Sequence, residues 1–337
     1  MTLQVIWFVL VGVLLAGYAM LDGFDLGVGT LFPFLAKSDE DKRMMRTSIG
    51  PVWDGNEVWL LTGGGALFAA FPPVYATVFS GFYLALMLVL FALIFRAVSF
   101  EFRLHDPAWG KLWDGAFFVG SALPALLFGV AAGNIVRGIP LDAAGEFTGT
   151  FFTLLNPFAL VMGVLGLTMF LVQGSSWLAL KTTGGLYERA VATRGLLQKV
   201  FAGVVVLATI ATFVLVPRAS SAVLGGAAGI VFLALFLLSI GWGFVASAKQ
   251  RDRFAWYAAS LSAVSLVGLW AASIFPRMVP ALGDDALSLT ISNSSSSQLA
   301  LTAMLIIAAI GVPLVLAYTT LVYRTFAGKV QTGGEGY

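Results

Sequence analysis

Nine runs of this chain are each long and apolar enough to cross a lipid bilayer, and that feature decides what it can fold into. A spanning helix needs about 20 mostly apolar residues to match the hydrocarbon core. Runs of that kind lie near 3–22, 51–72, 74–97, 113–136, 155–180, 200–217, 221–247, 254–276 and 299–323. They are continuous rather than alternating ten-residue segments, which argues against a β-barrel. Composition agrees. Of the 337 residues 59% are hydrophobic and 11% charged, where soluble domains carry about 25% charge. A water-soluble globule could not cover its surface with so few polar groups. The expected fold is a single all-α polytopic membrane domain over 1–337. Its second run is the least apolar, because Asp54, Asn56 and Glu57 sit in the first turns.

The basic residues orient these helices. Sixteen of the 19 Lys and Arg residues fall on alternate connections and at the C-terminal end, and only Arg137, Arg218 and Arg277 fall on the others. Basic residues are retained on the cytoplasmic side, so the N-terminus is expected outside and the C-terminus in the cytoplasm. Omitting the polar second helix would reverse everything after it and scatter the charge over both sides. The start MTLQVIW has no basic segment, so a cleaved signal peptide is not expected. The two longest connections, 23–50 and 277–298, show no strand alternation, and Ser294 to Ser297 read as a solvated external loop. No internal repeat is evident.

Several chemistries are excluded early. The chain has no cysteine, hence no disulfide, thiolate metal site or cysteine nucleophile. One histidine and a net charge of +2 leave little room for a metal cluster or a nucleic-acid surface. A membrane b-type haem is usually held by His or Met inside a bundle, and no span contains a histidine. If the chain serves a redox complex, the metals are expected on another subunit. Nothing resembles a Walker A loop, a nucleophile elbow or a metalloprotease helix.

What remains is a set of carboxylates. An ionisable residue in hydrocarbon costs roughly 2.5–3.5 kcal/mol at a helix centre, so each one asks for a reason. Asp22 and Asp25 lie three apart at the end of the first run and share a face if the helix continues through Leu26. Asp54 and Glu57 lie three apart at the start of the second. Antiparallel neighbours would bring the four to similar depth, forming a proton-uptake funnel from the cytoplasm. Two other readings stay open. Acidic residues favour a helix N-terminus, and Arg46, Arg96 or Arg103 could neutralise them as structural ion pairs.

Other residues carry weaker signals. His105, in the motif HDP, reads as a surface residue or, less simply, a ligand. Gln173 could bond a neighbouring helix or a quinone carbonyl. Pro124, Pro157 and Pro313 read as kinks or helix starts. Trp7, Trp53, Trp59, Trp109, Trp113 and Trp177 fall near the proposed interfaces, as an aromatic belt would. Gly63, Gly64, Gly65, Gly225, Gly226 and Gly229 read as close helix packing, or as room for a lipid, quinone or haem edge.

The stretch DGFDLGVG at 22–29 and IGPVWDGNEVWLLTGGGALFAAFP at 49–72 resemble subunit II of the cytochrome bd-type quinol oxidases. The resemblance continues through FYLALMLVLFALIFRAVSFEFR at 82–103, GNIVRGIP at 133–140, LLNPFALVMGV at 154–164, SLTISNSSSSQLAL at 288–301 and PLVLAYTTLVYRTFAGKV at 313–330. It spans nearly the whole chain.

That resemblance implies two four-helix bundles plus a peripheral helix. It also implies a haem-free partner of a subunit I that bears two b-type haems, one d-type haem and the quinol site. The complex would oxidise quinol, reduce O₂ to water and take protons from the cytoplasm, in a prokaryotic plasma membrane. Small single-helix accessory subunits accompany some members. Asp54 matches the aspartate of a proposed proton channel, and Asp25 another acidic position near that route. Asp22 and Glu57 join them as proton-conducting candidates from their spacing. Some members hold a structural quinone, for which Trp53 is a weak candidate contact. A purely structural assembly subunit and, from the acidic cluster alone, a proton-coupled transporter are the alternative readings; no nucleic-acid partner is expected.

Overall fold

A computed structural model describes residues 2–105 and 107–330, without the side chains of 104, 105 and 107. The expectation for His105 therefore lies outside the described residues. Among the described residues the regular structure is helical apart from one small hairpin, and eight helices are long and apolar enough to cross a membrane. In chain order the α-helices are α1 (Thr2–Leu35), then the shorter α2 (Asp39–Ile49), α3 (Trp53–Ala70) and α4 (Pro72–Gly81), then α5 (Tyr83–His105), α6 (Gly110–Arg137), α7 (Pro157–Lys181) and α8 (Gly184–Leu215). The short α9 (Pro217–Gly225) precedes α10 (Ala227–Ala248), α11 (Asp252–Ile274) and α12 (Gln298–Thr325). Helix α3, the expected second span, forms as an 18-residue helix but is not among the eight, because its WDGNE start dilutes its apolar length.

Several boundaries differ from those expected. Helix α1 runs to Leu35 rather than stopping near 22. Its acidic and glycine-rich second half is buried among other helices, so polarity there marks contacts and not an end. Helix α2 occupies part of the supposed connection, started by a capping box in which Ser38 and Asp41 satisfy each other's backbone N–H groups. The expected run 74–97 divides into α4 and α5 at Phe82, and α9 is separated from α10 at Gly226, whose backbone is extended. The charged segment before 200 belongs to α8, and the 277–298 connection carries β1 (Arg277–Val279) paired antiparallel with β2 (Leu289–Thr290).

Packing around α1 positions everything that follows. Asn56 of α3 reaches Leu21, Trp59 lies against Gly17, and Gly63 lies against Leu15. As the number rises on α3 it falls on α1, so the two are antiparallel. Helix α7 crosses α1 where Gly27 and Gly174 meet; a Cβ on Gly27 would sit 1.9 Å from the Phe170 carbonyl oxygen. The glycines singled out in the sequence are mostly elsewhere. Gly63 and Gly229 are closely packed, whereas Gly64, Gly65 and Gly225 face open space.

The basic residues sort to two ends. Lys42, Arg46 and Arg103 converge on Asp114, and Arg189 on Asp41. Burial among Phe32, Phe100 and Phe117 pushes the Arg46 guanidinium down to about 10, with Asp114 opposing the shift. At the other end, Arg218 bonds the Val136 carbonyl, and Arg277 pairs with Asp285.

Candidate functional site

Where α1, α3 and α5 meet, polar side chains are sealed inside the bundle. Asp22 and Asp25 on α1 and Arg96 on α5 are all fully buried. Arg96 spans two helices. Its Nη1 and Nη2 each donate to Asp22 Oδ1 at 3.1 Å, and Nη1 also donates to Glu57 Oε1 of α3 at 2.7 Å. Trp53 caps the group, with the Arg96 guanidinium carbon 5.8 Å from its ring and Phe100 stacked on it at 5.0 Å.

Asp25 is held differently. Asn56 Nδ2 donates to Asp25 Oδ2 at 2.7 Å and to the Leu21 carbonyl at 3.1 Å. The Asn56 carbonyl accepts from the Tyr323 hydroxyl of α12 at 3.1 Å. Among the described residues Asp25 Oδ1 is buried with no hydrogen-bond partner, and the buried Tyr18 hydroxyl lies beside Asp22, one turn before it on α1. Gly23, between the two aspartates, leaves room for α7. A Cβ there would meet Gln173 Oε1 at 2.4 Å.

Of the four candidate carboxylates, the structure brings three together. Asp22, Asp25 and Glu57 face one another, and among the described residues Arg96 is the one cation bonded within the group, pairing with Asp22 and Glu57 but not with Asp25. Asp54 is exposed in the first turn of α3 and makes no bond to this group. Two positions apart is about 200° around a helix, so with Asn56 turned toward α1, Asp54 faces away. Gln173 serves interhelical bonding, donating to the Met20 carbonyl at 3.3 Å. Trp53 spends its ring face on Phe100.

Sequence reasoning named Arg96 only as one possible counter-ion and missed Asn56 and Tyr323. Asn56 had a signal, since a buried amide beside acidic residues needs partners. Tyr323 had none, lying 267 residues from Asn56 in sequence. Among the described residues, no group of three or more His, Asp or Glu side chains is arranged to hold a metal ion.

Helices of this length and apolarity, closed around a buried arginine–carboxylate cluster, define a multi-pass membrane protein. Residues 3–326 match the family model for cytochrome bd terminal oxidase subunit II, and the chain belongs to that family. It is 41% identical to a probable cytochrome oxidase subunit 2 of Haemophilus influenzae, over 98% of this chain and 95% of that one. It is 38% identical to the cytochrome bd-I ubiquinol oxidase subunit 2 of Escherichia coli K12, over 97% and 95%. It is 35% identical to the cytochrome bd ubiquinol oxidase subunit 2 of Bacillus subtilis, over 98% and 97%. The fold matches a chain of the bd oxidase from Geobacillus thermodenitrificans with a TM-score of 0.81 at 17% identity, covering 97% of this chain and 99% of that one.

Proposed function

We propose that this chain is the haem-free subunit of a quinol:O₂ oxidoreductase in a prokaryotic plasma membrane, and that it contributes a proton-uptake route from the cytoplasm. Its partner would be a haem-bearing subunit I carrying the b- and d-type haems and the quinol site. The only histidine of this chain closes α5, so the chain offers no histidine pair for a haem iron. In the same reading α3 is a ninth span, the helices form two four-helix bundles and a peripheral helix, and the N-terminus is external.

The observation that carries the proton route is the charge balance of the buried cluster. Among the described residues, three carboxylates lie around one guanidinium that pairs with two of them, and Asp25 keeps a buried oxygen without a donor. A site with more carboxylates than cations can take up a proton and pass it on. Asp22 and Asp25 then divide the work. Asp22 neutralises Arg96, while Asp25, bonded only through Asn56, is the proton carrier.

Asp54 enters this route through the partner. On α3, Asp54, Val58, Leu61, Gly65 and Phe68 form one exposed stripe at alternating spacings of four and three residues, the pattern of a helix seam. A charge on such a stripe faces lipid at high cost, so subunit I is expected to cover it and enclose Asp54.

A structural reading is favoured for one pair. Fully buried Arg96 and Asp22 have the geometry of an assembly element. The two readings separate by substitution. Asp25→Asn keeps volume and the bond from Asn56 but cannot release a proton at neutral pH. It should leave haem content near wild type and lower O₂ consumption per haem d. Full turnover with full haem content would remove Asp25 from the route.

A further inference from the structure

Helix α12 is attached to this chain mainly at its ends. Leu301 is its one buried residue, and its middle, from Ile306 to Leu316, is largely exposed. At one end the Trp7 indole donates to the Leu301 carbonyl at 3.0 Å, and Ser296 bonds the carbonyls of Ala69 and Ala70. At the other end the chain turns at Gly328, whose positive φ of 103° suits glycine, and runs back across the end of α7. There Val330 N–H donates to the Lys181 carbonyl at 2.8 Å, and Lys329 Nζ to the Thr182 carbonyl at 2.8 Å. Lys181 Nζ returns a bond to the Phe326 carbonyl at 2.6 Å. Lys329 also lies 4.5 Å above the Tyr187 ring. Three bonds in five residues make a strap.

The strap fixes the position of Tyr323, one turn before it. The Tyr323 ring packs edge-on to Trp177 at 6.2 Å, and its hydroxyl donates to Asn56. That bond is the third that holds the Asn56 amide. Its carbonyl is turned to Tyr323, so both amide hydrogens are directed to Leu21 and Asp25. Without the hydroxyl, the amide carbonyl loses its donor and the side chain is held only by its own N–H groups, so the bond to Asp25 is less firmly placed.

We propose that Tyr323, held by the C-terminal strap, is a positioning residue that sets the hydrogen bond received by Asp25 and thereby the rate at which Asp25 exchanges protons. This rests on the proton-carrier reading of Asp25. The groups facing Asp25 are Asp22 on its own helix, with Tyr18 one turn further back beside Asp22, Glu57 and Asn56 on α3, Arg96 on α5 and Tyr323 on α12. Tyr323 is hydrogen-bonded to it through the Asn56 amide and also lies within reach of the Asp25 charge.

The test compares Tyr323→Phe, Asp25→Asn and the double variant in the complete oxidase, reading haem content, O₂ consumption per haem d and its pH profile. Tyr323→Phe keeps the ring against Trp177 and removes the hydroxyl. It should retain haem, run several-fold slower and displace the pH profile, and the double variant should be no slower than Asp25→Asn alone. A purely structural residue would move haem content and leave the profile of the surviving enzyme unchanged. Wild-type turnover and profile in Tyr323→Phe beside a slow Asp25→Asn would overturn the positioning role alone. Loss of haem in Tyr323→Phe, or multiplied losses in the double variant, would overturn it as well. Full turnover in Asp25→Asn would remove the proton-carrier reading and this inference together.

Discussion

Arg96 and Asp22 face each other from α5 and α1 at 3.1 Å, both without solvent exposure. A buried pair of this kind is a weak source of net stability, but breaking it is costly, because the charge left behind is uncompensated. Asp22→Asn leaves Arg96 with the partly exposed Glu57 as its remaining carboxylate, and should cost up to about 3–5 kcal/mol, enough to impair accumulation of the complex. Haem content of membranes carrying that variant should fall sharply. Glu57→Gln should be milder, since the Glu57 side chain is 21% exposed and Arg96 keeps Asp22. Equal haem content in both variants would contradict the ranking.

Among the described residues the exposed Asp54 side chain makes no hydrogen bond or ion pair that a substitution would remove. Asp54→Asn should therefore leave haem content near wild type. If the partner encloses Asp54 in the proton route, O₂ consumption per haem d should drop severalfold. Full turnover would exclude Asp54 from any obligatory step.

The α1–α7 crossing sets a steric limit. A methyl on Gly27 would lie 1.9 Å from the Phe170 carbonyl oxygen and 2.9 Å from the Gly174 nitrogen, both backbone atoms that cannot turn aside. Overpacking of this kind costs about 1–3 kcal/mol, occasionally more. Gly27→Ala should lower the thermal midpoint of the complex. Gly64→Ala, which meets nothing within 4 Å in this chain, serves as the control unless the partner packs there.

The apolar runs made most helices legible in sequence, since span length and continuity need no partner to be read. What they hid was the continuation of α1 through Asp22, Gly23, Asp25 and Gly27. Those residues look like a helix end by polarity, yet Arg96, Asn56 and α7 satisfy or exploit each of them. The pairing of Asp22 with Asp25 on one face was readable from spacing alone. The roles that separate them were not, because Arg96 lies 74 residues from Asp22 and Tyr323 lies 267 from Asn56. Asp54 is the opposite case. Its motif carried the strongest resemblance, but helical phase turns it outward when Asn56 turns in.

Sidedness gives the last prediction. Lys42, Arg46, Arg103 and Arg189 are drawn into ion pairs at one end of the molecule, while the Lys181–Lys329 strap joins that same end through the α7–α8 junction. Arg218 and Arg277 sit at the opposite end, with the 138–156 connection joined to theirs by the Ile139 bonds to Pro280 and Leu282. If basic residues remain cytoplasmic, reporter fusions at Lys42, Arg189 and Lys329 should read cytoplasmic, and fusions at Gly145 and Asp284 external. The informative position is Gly145. It lies beyond α3, α5 and α6, and it reads external only if the polar 18-residue α3 crosses the membrane. A cytoplasmic signal at Gly145 would mean that α3 lies in the protein without spanning, and would place the Arg96 cluster at a different depth from the one the proton route requires.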